Sequence, residues 1–91
     1  MPCDIRDAMK PFVLIETFDE LVGYPEEAGK NIDEVIASVK RLGACGLSQT
    51  DINDVVEMFE NSKKFLLEQK SWDLSKKQLL EATKLLYTAT F

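Results

Sequence analysis

Apolar residues recur three or four positions apart along almost the whole chain, and no stretch alternates between apolar and polar residues as a half-buried strand does. This spacing places side chains on one face of an α-helix. The pattern therefore predicts an all-α protein, a small bundle of four to five short amphipathic helices. There is no internal repeat and no linker-like segment, so we expect residues 1–91 to form a single helical domain.

The first apolar stripe begins near the start of the chain and has helical spacing. It comprises Ile5, Ala8, Met9, Phe12 and Val13. Pro11 interrupts this stripe, so the sequence predicts either a kink at that residue or a new helix whose first turn contains it. The segment Gly23-Tyr24-Pro25 then predicts a break before the next helix.

Oxygen-bearing residues predict where the later helices begin. The predicted caps are Asn31 with Glu34, then Ser48 or Thr50, and finally Ser75 with Gln78. Gly43 and Gly46 predict a helix end, because glycine adopts left-handed backbone angles at little cost. The predicted inward faces carry Ile32, Val35, Ile36, Val39 and Leu42, then Ile52, Val55, Val56, Phe59 and Leu66, then Leu79, Ala82, Leu85, Leu86 and Ala89.

Charge is distributed unevenly along the chain. Residues 1–38 hold nine acids and three bases, a net −6, and residues 39–91 hold seven acids and eight bases, a net +1, which together give the overall −5. Binding to nucleic acid requires a clustered basic face, which this distribution disfavours. No apolar run approaches the roughly 18 residues that span a bilayer, so we expect no membrane insertion. The first ten residues lack the pattern of a signal peptide.

Candidates for catalysis or metal binding are few. The chain contains no histidine, the commonest general base and metal ligand. A calcium loop beginning at Asp51 fails, because the sixth loop position is not glycine and Ser62 occupies the twelfth. We therefore expect no catalytic residue, no metal site and no cofactor, and we expect the protein not to be an enzyme.

The two cysteines, Cys3 and Cys45, lie on different predicted elements. Cys45 follows Lys40 and Arg41 but has no histidine to activate it, which disfavours a reactive thiol. It could serve as a small apolar residue at a helix end, or it could form a disulfide with Cys3. The spacing leaves open whether such a crosslink lies within one chain or joins two.

Several segments resemble the secretoglobin family in order and spacing over residues 3–67. A cysteine at position three precedes an amphipathic helix, and the segments that follow are Thr17-Phe18-Asp19-Glu20-Leu21-Val22, Val39-Lys40-Arg41-Leu42-Gly43-Ala44-Cys45 and Leu47-Ser48-Gln49-Thr50. The chain departs from the family in four respects. The C-terminal cysteine expected near Glu68 or Gln69 is absent, and Leu21 replaces a tyrosine that often bonds a ligand. The helix predicted within residues 71–91 has no counterpart in the shortest members, and the lysine lies five residues before Cys45 where two is typical.

The resemblance implies a secreted subunit that forms a homo- or heterodimer and encloses a small hydrophobic ligand. Small bundles place such sites between facing helices. The residues expected to line the cavity or the interface are Phe12, Ile15, Val35, Ile36, Val39, Val56 and Phe59. A plain packed core is the other interpretation of the same apolar stripes.

A different class of protein also fits this sequence. An acidic helical module in the cytoplasm, such as an adaptor, an inhibitor or an immunity protein, would use the −6 charge of residues 1–38 to bind a basic partner. The two interpretations differ in the expected state of Cys3 and Cys45, which would be oxidised in a secreted protein and reduced in the cytoplasm.

Overall fold

The computed structural model describes residues 3–90, and the side chains of residues 3–89. Four α-helices follow one another: α1 (Ile5–Phe18), α2 (Pro25–Lys40), α3 (Gln49–Leu67) and α4 (Trp72–Thr90). Single 3₁₀ turns, Asp19–Leu21 and Arg41–Cys45, follow α1 and α2. No strand occurs in the described part of the chain, so the predicted all-α bundle is confirmed, while the expected count of four to five short helices is matched only roughly.

Helix α1 passes through Pro11 without a break. Its first turn is capped by Asp4, whose carboxylate accepts a hydrogen bond from the Arg6 backbone N–H at 2.9 Å. The helix is continuous from Ile5 to Phe18 with Pro11 buried inside it, so neither a second helix nor a new first turn begins there. Proline removes one backbone hydrogen bond from a helix interior, and burial of its ring against the bundle offsets part of that cost.

Helix α2 begins earlier than the sequence predicted. Pro25 occupies its first turn, where a missing N–H costs nothing, and Glu26 and Glu27 lie where the helix dipole favours acids. Asn31 is therefore inside the helix, and its prediction as a cap is wrong. In the structure the helix starts at the proline followed by two acids.

One glycine, not two, turns the chain after α2. Gly46 has a φ of 94° and ends the 3₁₀ turn Arg41–Cys45 in the left-handed conformation. Gly43 lies inside that turn with a negative φ, so its predicted left-handed role is wrong. Ser48 then caps α3 by accepting a hydrogen bond from the Asp51 N–H at 3.2 Å, which confirms one of the two predicted caps.

Helix α4 begins at Trp72, and the hydroxyl of Ser71 accepts a hydrogen bond from the Leu74 N–H at 3.3 Å. The predicted cap, Ser75, is instead buried within α4. The Ser62 hydroxyl of α3 donates to the Ser75 carbonyl at 2.8 Å, and the two hydroxyls lie 3.0 Å apart. Two serines therefore let α3 and α4 approach closely while both polar groups remain satisfied.

The core is a single cluster that draws mainly on α2, α3 and α4. Its buried apolar residues are Leu14, Phe18, Ala28, Ile32, Val35, Ile36, Val39, Leu42, Ile52, Val55, Val56, Phe59, Leu66, Leu79, Ala82 and Leu86. The inward faces predicted for α2 and α3 are confirmed, and in α4 the exception is Ala89, which is exposed. Helix α1 contributes Leu14 and Phe18, and the Phe18 ring stacks on Trp72 at 4.2 Å.

Candidate functional site

The outer side of α1 carries an apolar ridge, which we define as Ile5, Met9 and Val13. These side chains are 71%, 53% and 51% exposed. A spacing of four residues aligns them along one side of the helix. The buried positions Pro11, Leu14 and Phe18 lie on the opposite side. The first apolar stripe of the sequence therefore faces largely away from the core of its own chain.

A groove of about 420 Å³ runs beside this ridge between α1 and α2, and we call it the α1–α2 groove. Its apolar lining consists of Met9, Val13, Leu14 and Val35, and its polar lining consists of Arg6, Lys10, Thr17, Asn31 and Glu34. Two ridge residues, Met9 and Val13, are thus also one wall of the groove. The ridge and the groove form one continuous surface.

A second groove, of about 410 Å³, lies on the other side of the ridge between α1 and α4. Phe12 and Ile15 line it from α1, and Leu80 and Tyr87 line it from α4. The rings of Phe12 and Tyr87 meet edge to face with their centroids 6.3 Å apart. The apolar surface around α1 therefore extends onto α4.

The charges beside the ridge are partly compensated within the chain. The Arg6 guanidinium bonds the Asp4 carboxylate at 2.9 Å, and this hydrogen bonding lowers the pKa of Asp4 below its ordinary value. The side chains of Lys10 and Glu34 form no ion pair in the described part of the chain. They lie on the two opposite walls of the α1–α2 groove with opposite charges.

The start of α1 is fixed to the bundle by a covalent bond and an ion pair. Cys3 and Cys45 form a disulfide within the chain, with their Cα atoms 4.8 Å apart. Beside it, the Arg41 guanidinium bonds the Asp7 carboxylate at 2.8 Å, which lowers the pKa of Asp7. The disulfide joins the residue before the α1 cap, and the ion pair joins the first turn of α1, to the 3₁₀ turn after α2.

The far end of α1 is also fixed. The Lys76 ammonium of α4 bonds Asp19 at 2.6 Å, and the Trp72 indole N–H donates to the same carboxylate at 3.4 Å. These bonds lower the pKa of Asp19, with the larger effect from Lys76. Helix α1 is therefore held at both ends, and the ridge remains exposed between these contacts.

The residues predicted for a ligand site or interface separate into two groups. Five of them are buried in the core: Val35, Ile36, Val39, Val56 and Phe59. The other two, Phe12 and Ile15, are half-buried and line the α1–α4 groove. Of the buried group, Val35 also reaches the α1–α2 groove.

Sequence reasoning did not select the ridge as a site. A signal for it was present, because the apolar residues of α1 surround most of its circumference. Helix α1 also carries charged residues such as Lys10 and Glu16, but its apolar residues extend well beyond the one side that the bundle covers. The excess of apolar positions in α1 could therefore have indicated a surface for a partner.

Among the described residues, no group of three or more histidine, cysteine, aspartate or glutamate side chains could hold a metal ion. Within the same residues, no helix combines the length and the apolar character needed to cross a bilayer. Searches against protein-family models, curated proteins and solved structures find no match. The chain's own surface is therefore the basis for inferring its function.

Proposed function

We propose that this chain is a non-enzymatic binding protein and that the α1 ridge with its flanking grooves is the binding surface. The observation that carries the proposal is the exposure of Ile5, Met9 and Val13 on a helix fixed at both ends. Full burial of one such side chain contributes about 1.5–3 kcal/mol. Between half and three quarters of each side chain is exposed, so covering the ridge would contribute about 3–5 kcal/mol.

A secreted protein resembling the secretoglobins is the class that we favour. The Cys3–Cys45 disulfide supports it, since such crosslinks persist in oxidising compartments. A cytoplasmic interaction module is the competing class, and it requires both thiols to be free in the native protein. Mass spectrometry of protein purified from its source, with thiols alkylated at lysis, distinguishes the two classes.

A small hydrophobic ligand is an alternative to a protein partner as the molecule that this binding surface holds. The α1–α2 groove, at about 420 Å³, lies within the range of small-molecule sites of about 300–1,000 Å³. Its lining combines four apolar residues, Met9, Val13, Leu14 and Val35, with five polar or charged ones. This composition favours an apolar molecule with one polar end.

Native mass spectrometry of the protein isolated from its source tests the binding surface. We expect a bound species on the wild-type chain, whether a second copy or a small molecule, and its loss in Met9→Glu. The matched control is Leu74→Glu, which places the same charge on a side chain that is 44% exposed in the first turn of α4. Equal occupancy in wild type, Met9→Glu and Leu74→Glu would contradict the proposal.

A further inference from the structure

We propose that Tyr24 is a modification site whose phenolic oxygen accepts a sulfuryl group, so that the native protein carries a tyrosine O-sulfate ester there. Tyr24 lies in the break between α1 and α2 and is not one of the ridge residues. The inference rests on the secreted class of the proposed function, because proteins acquire this ester while they pass through the secretory pathway.

The first argument is the accessibility of the hydroxyl group. The Tyr24 side chain is 64% exposed. In the described part of the chain it forms no hydrogen bond and no ring contact. A tyrosine in this state can enter the active site of an enzyme without breaking any contact of the fold.

The backbone around Tyr24 also leaves room for an enzyme. Tyr24 has a φ of −134° and a ψ of 67°, outside the helical region, and directly precedes the first residue of α2. An added Cβ atom at Gly23 would meet nothing within 4 Å apart from its chain neighbours. Residues 22–27 are all exposed. Such breaks lie at the surface, where a second protein can reach them.

The second argument is the charge beside this tyrosine. No base lies within five residues of it in the sequence, whereas four acids do: Asp19, Glu20, Glu26 and Glu27. Asp19 is paired with Lys76, and the other three carboxylates lie on exposed residues. An enzyme that transfers sulfate binds an anionic donor, a sulfate activated by its link to a nucleotide phosphate, and therefore needs a basic site. Acids beside the acceptor favour the approach to such a site.

The other tyrosine of the chain provides an internal comparison. Tyr87 is similarly exposed, at 57%, but it lies inside α4, and its ring meets that of Phe12 edge to face. The surrounding residues 82–91 contain no acid and one base, Lys84. Tyr87 therefore lacks both the non-helical backbone and the acidic flanks of Tyr24. We expect it to remain unmodified.

The reaction is a group transfer without a redox step. The Tyr24 oxygen forms a bond to the sulfur of the donor, and the bond between that sulfur and the donor's phosphate oxygen breaks. The nucleotide phosphate leaves with the electron pair, and the phenolic proton passes to a base of the enzyme. A sulfate ester carries a single negative charge, whereas a phosphate ester carries about −1.5 to −2 and is repelled more strongly by adjacent acids. The surroundings of Tyr24 therefore favour sulfate over phosphate.

Sulfate transfer to the purified, folded chain provides the first test. The protein is incubated with a tyrosine sulfotransferase and a donor that carries radiolabelled sulfate. We expect incorporation into wild type, an equal amount in Tyr87→Phe, and a loss to background in Tyr24→Phe. Circular dichroism verifies that each variant keeps its fold.

Removal of the flanking charges tests the second argument in the same assay. Glu26→Gln/Glu27→Gln should lower the initial rate of transfer about fivefold, because each exposed charge contributes modestly to binding of the enzyme. The matched control is Glu57→Gln/Glu60→Gln, which removes two exposed acids from α3 and should leave the rate unchanged.

The native protein provides the deciding measurement. Trypsin separates the two tyrosines, since Tyr24 lies in the fragment 7–30 and Tyr87 in the fragment 85–91. In protein isolated from its source, we expect the first fragment to gain the mass of one SO₃ group on Tyr24 and the second to be unmodified. Accurate mass distinguishes the SO₃ of a sulfate ester from the HPO₃ of a phosphate ester.

Three results would overturn the inference: equal incorporation into wild type and Tyr24→Phe, an unmodified Tyr24 in the native protein, or a phosphate ester on it. If Tyr24 is unmodified while Cys3 and Cys45 of the same native sample are oxidised, the inference is excluded and the secreted class is retained. If Tyr24 is unmodified and both thiols are free, the secreted class fails as well.

Discussion

Removal of the Cys3–Cys45 disulfide should destabilise the protein substantially while leaving its helices intact. The perturbation is the double variant Cys3→Ser/Cys45→Ser, which avoids the unpaired thiol that a single substitution leaves. Cys3 is exposed, and Cys45 only packs against the edge of the core. The four helices therefore retain their packing, and the loss arises mainly from the greater freedom of the unfolded chain.

The magnitude follows from the length of the closed loop. The two cysteines are 42 residues apart, which in the chain-entropy treatment corresponds to about 4 kcal/mol at 25 °C. Unfolding entropies near 2.1 cal/mol/K per residue over 91 residues convert this to a fall in melting temperature of about 20 °C. Such a loss is a large fraction of the stability of a small domain, which is about 5–15 kcal/mol.

Thermal unfolding followed by far-ultraviolet circular dichroism measures the effect. Wild type in reductant should melt near the temperature of the double variant, and the double variant should not respond to reductant. Intact mass, which differs by two hydrogens between the oxidised and reduced forms, verifies the state of the wild type. A fall of less than about 3 °C on verified reduction would refute the reasoning. A reductant-sensitive dimer on electrophoresis would show that the crosslink joins two chains.

Two further predictions concern the turn after α2 and the ion pair beside it. Gly46→Ala should lower the free energy of unfolding in urea by about 1–2 kcal/mol, because φ is 94° at that residue. Gly43→Ala should change this free energy little, since the added methyl group makes only an ordinary contact at 3.7 Å. Equal effects of the two substitutions would contradict the assigned backbone angles. Hydrogen bonding from Arg41 lowers the pKa of Asp7 below 3.8, so the stability from this pair is fully present above pH 3.8 and is lost as the pH falls through the folded-state pKa. Asp7→Asn should therefore reduce the loss of unfolding free energy in acid, whereas Asp54→Asn, at an exposed site, should not. If the unfolding free energy of the two variants depended on pH identically, this role for the pair would be excluded.

Hydrophobic periodicity was sufficient to predict the packed faces of α2 and α3. Ile32, Val39, Val55 and Phe59 recur with a period near 3.6 and are all buried. Each of these helices has one apolar face and a clearly polar face opposite it, so the buried side is unambiguous. Ser48 was also predictable as a cap, because it precedes an apolar periodic segment directly.

The helix starts that could not be predicted were those where several signals compete. Before α2, Pro25 and Asn31 both mark a start, and sequence alone does not rank them. Ser75 has the residue type of a cap, but its position opposite Ser62 depends on how α3 and α4 pack. Such a contact between helices leaves no trace in local spacing.

The orientation of α1 could not be predicted from the sequence either, and the proposed function depends on it. Apolar residues occur around most of its circumference, so periodicity does not indicate which side faces the chain's own core and which side remains available to a partner. The structure resolves this: Leu14 and Phe18 pack inward, and Met9 is left outside. A helix with so small a share of the core would move readily if nothing else held it. The disulfide at Cys3 fixes one end, and the contacts of Phe18 with Trp72 and of Asp19 with Lys76 fix the other. Holding an exposed apolar surface rigid lowers the entropy lost on binding, so the same contacts that stabilise the monomer would also favour the binding that we propose at the ridge.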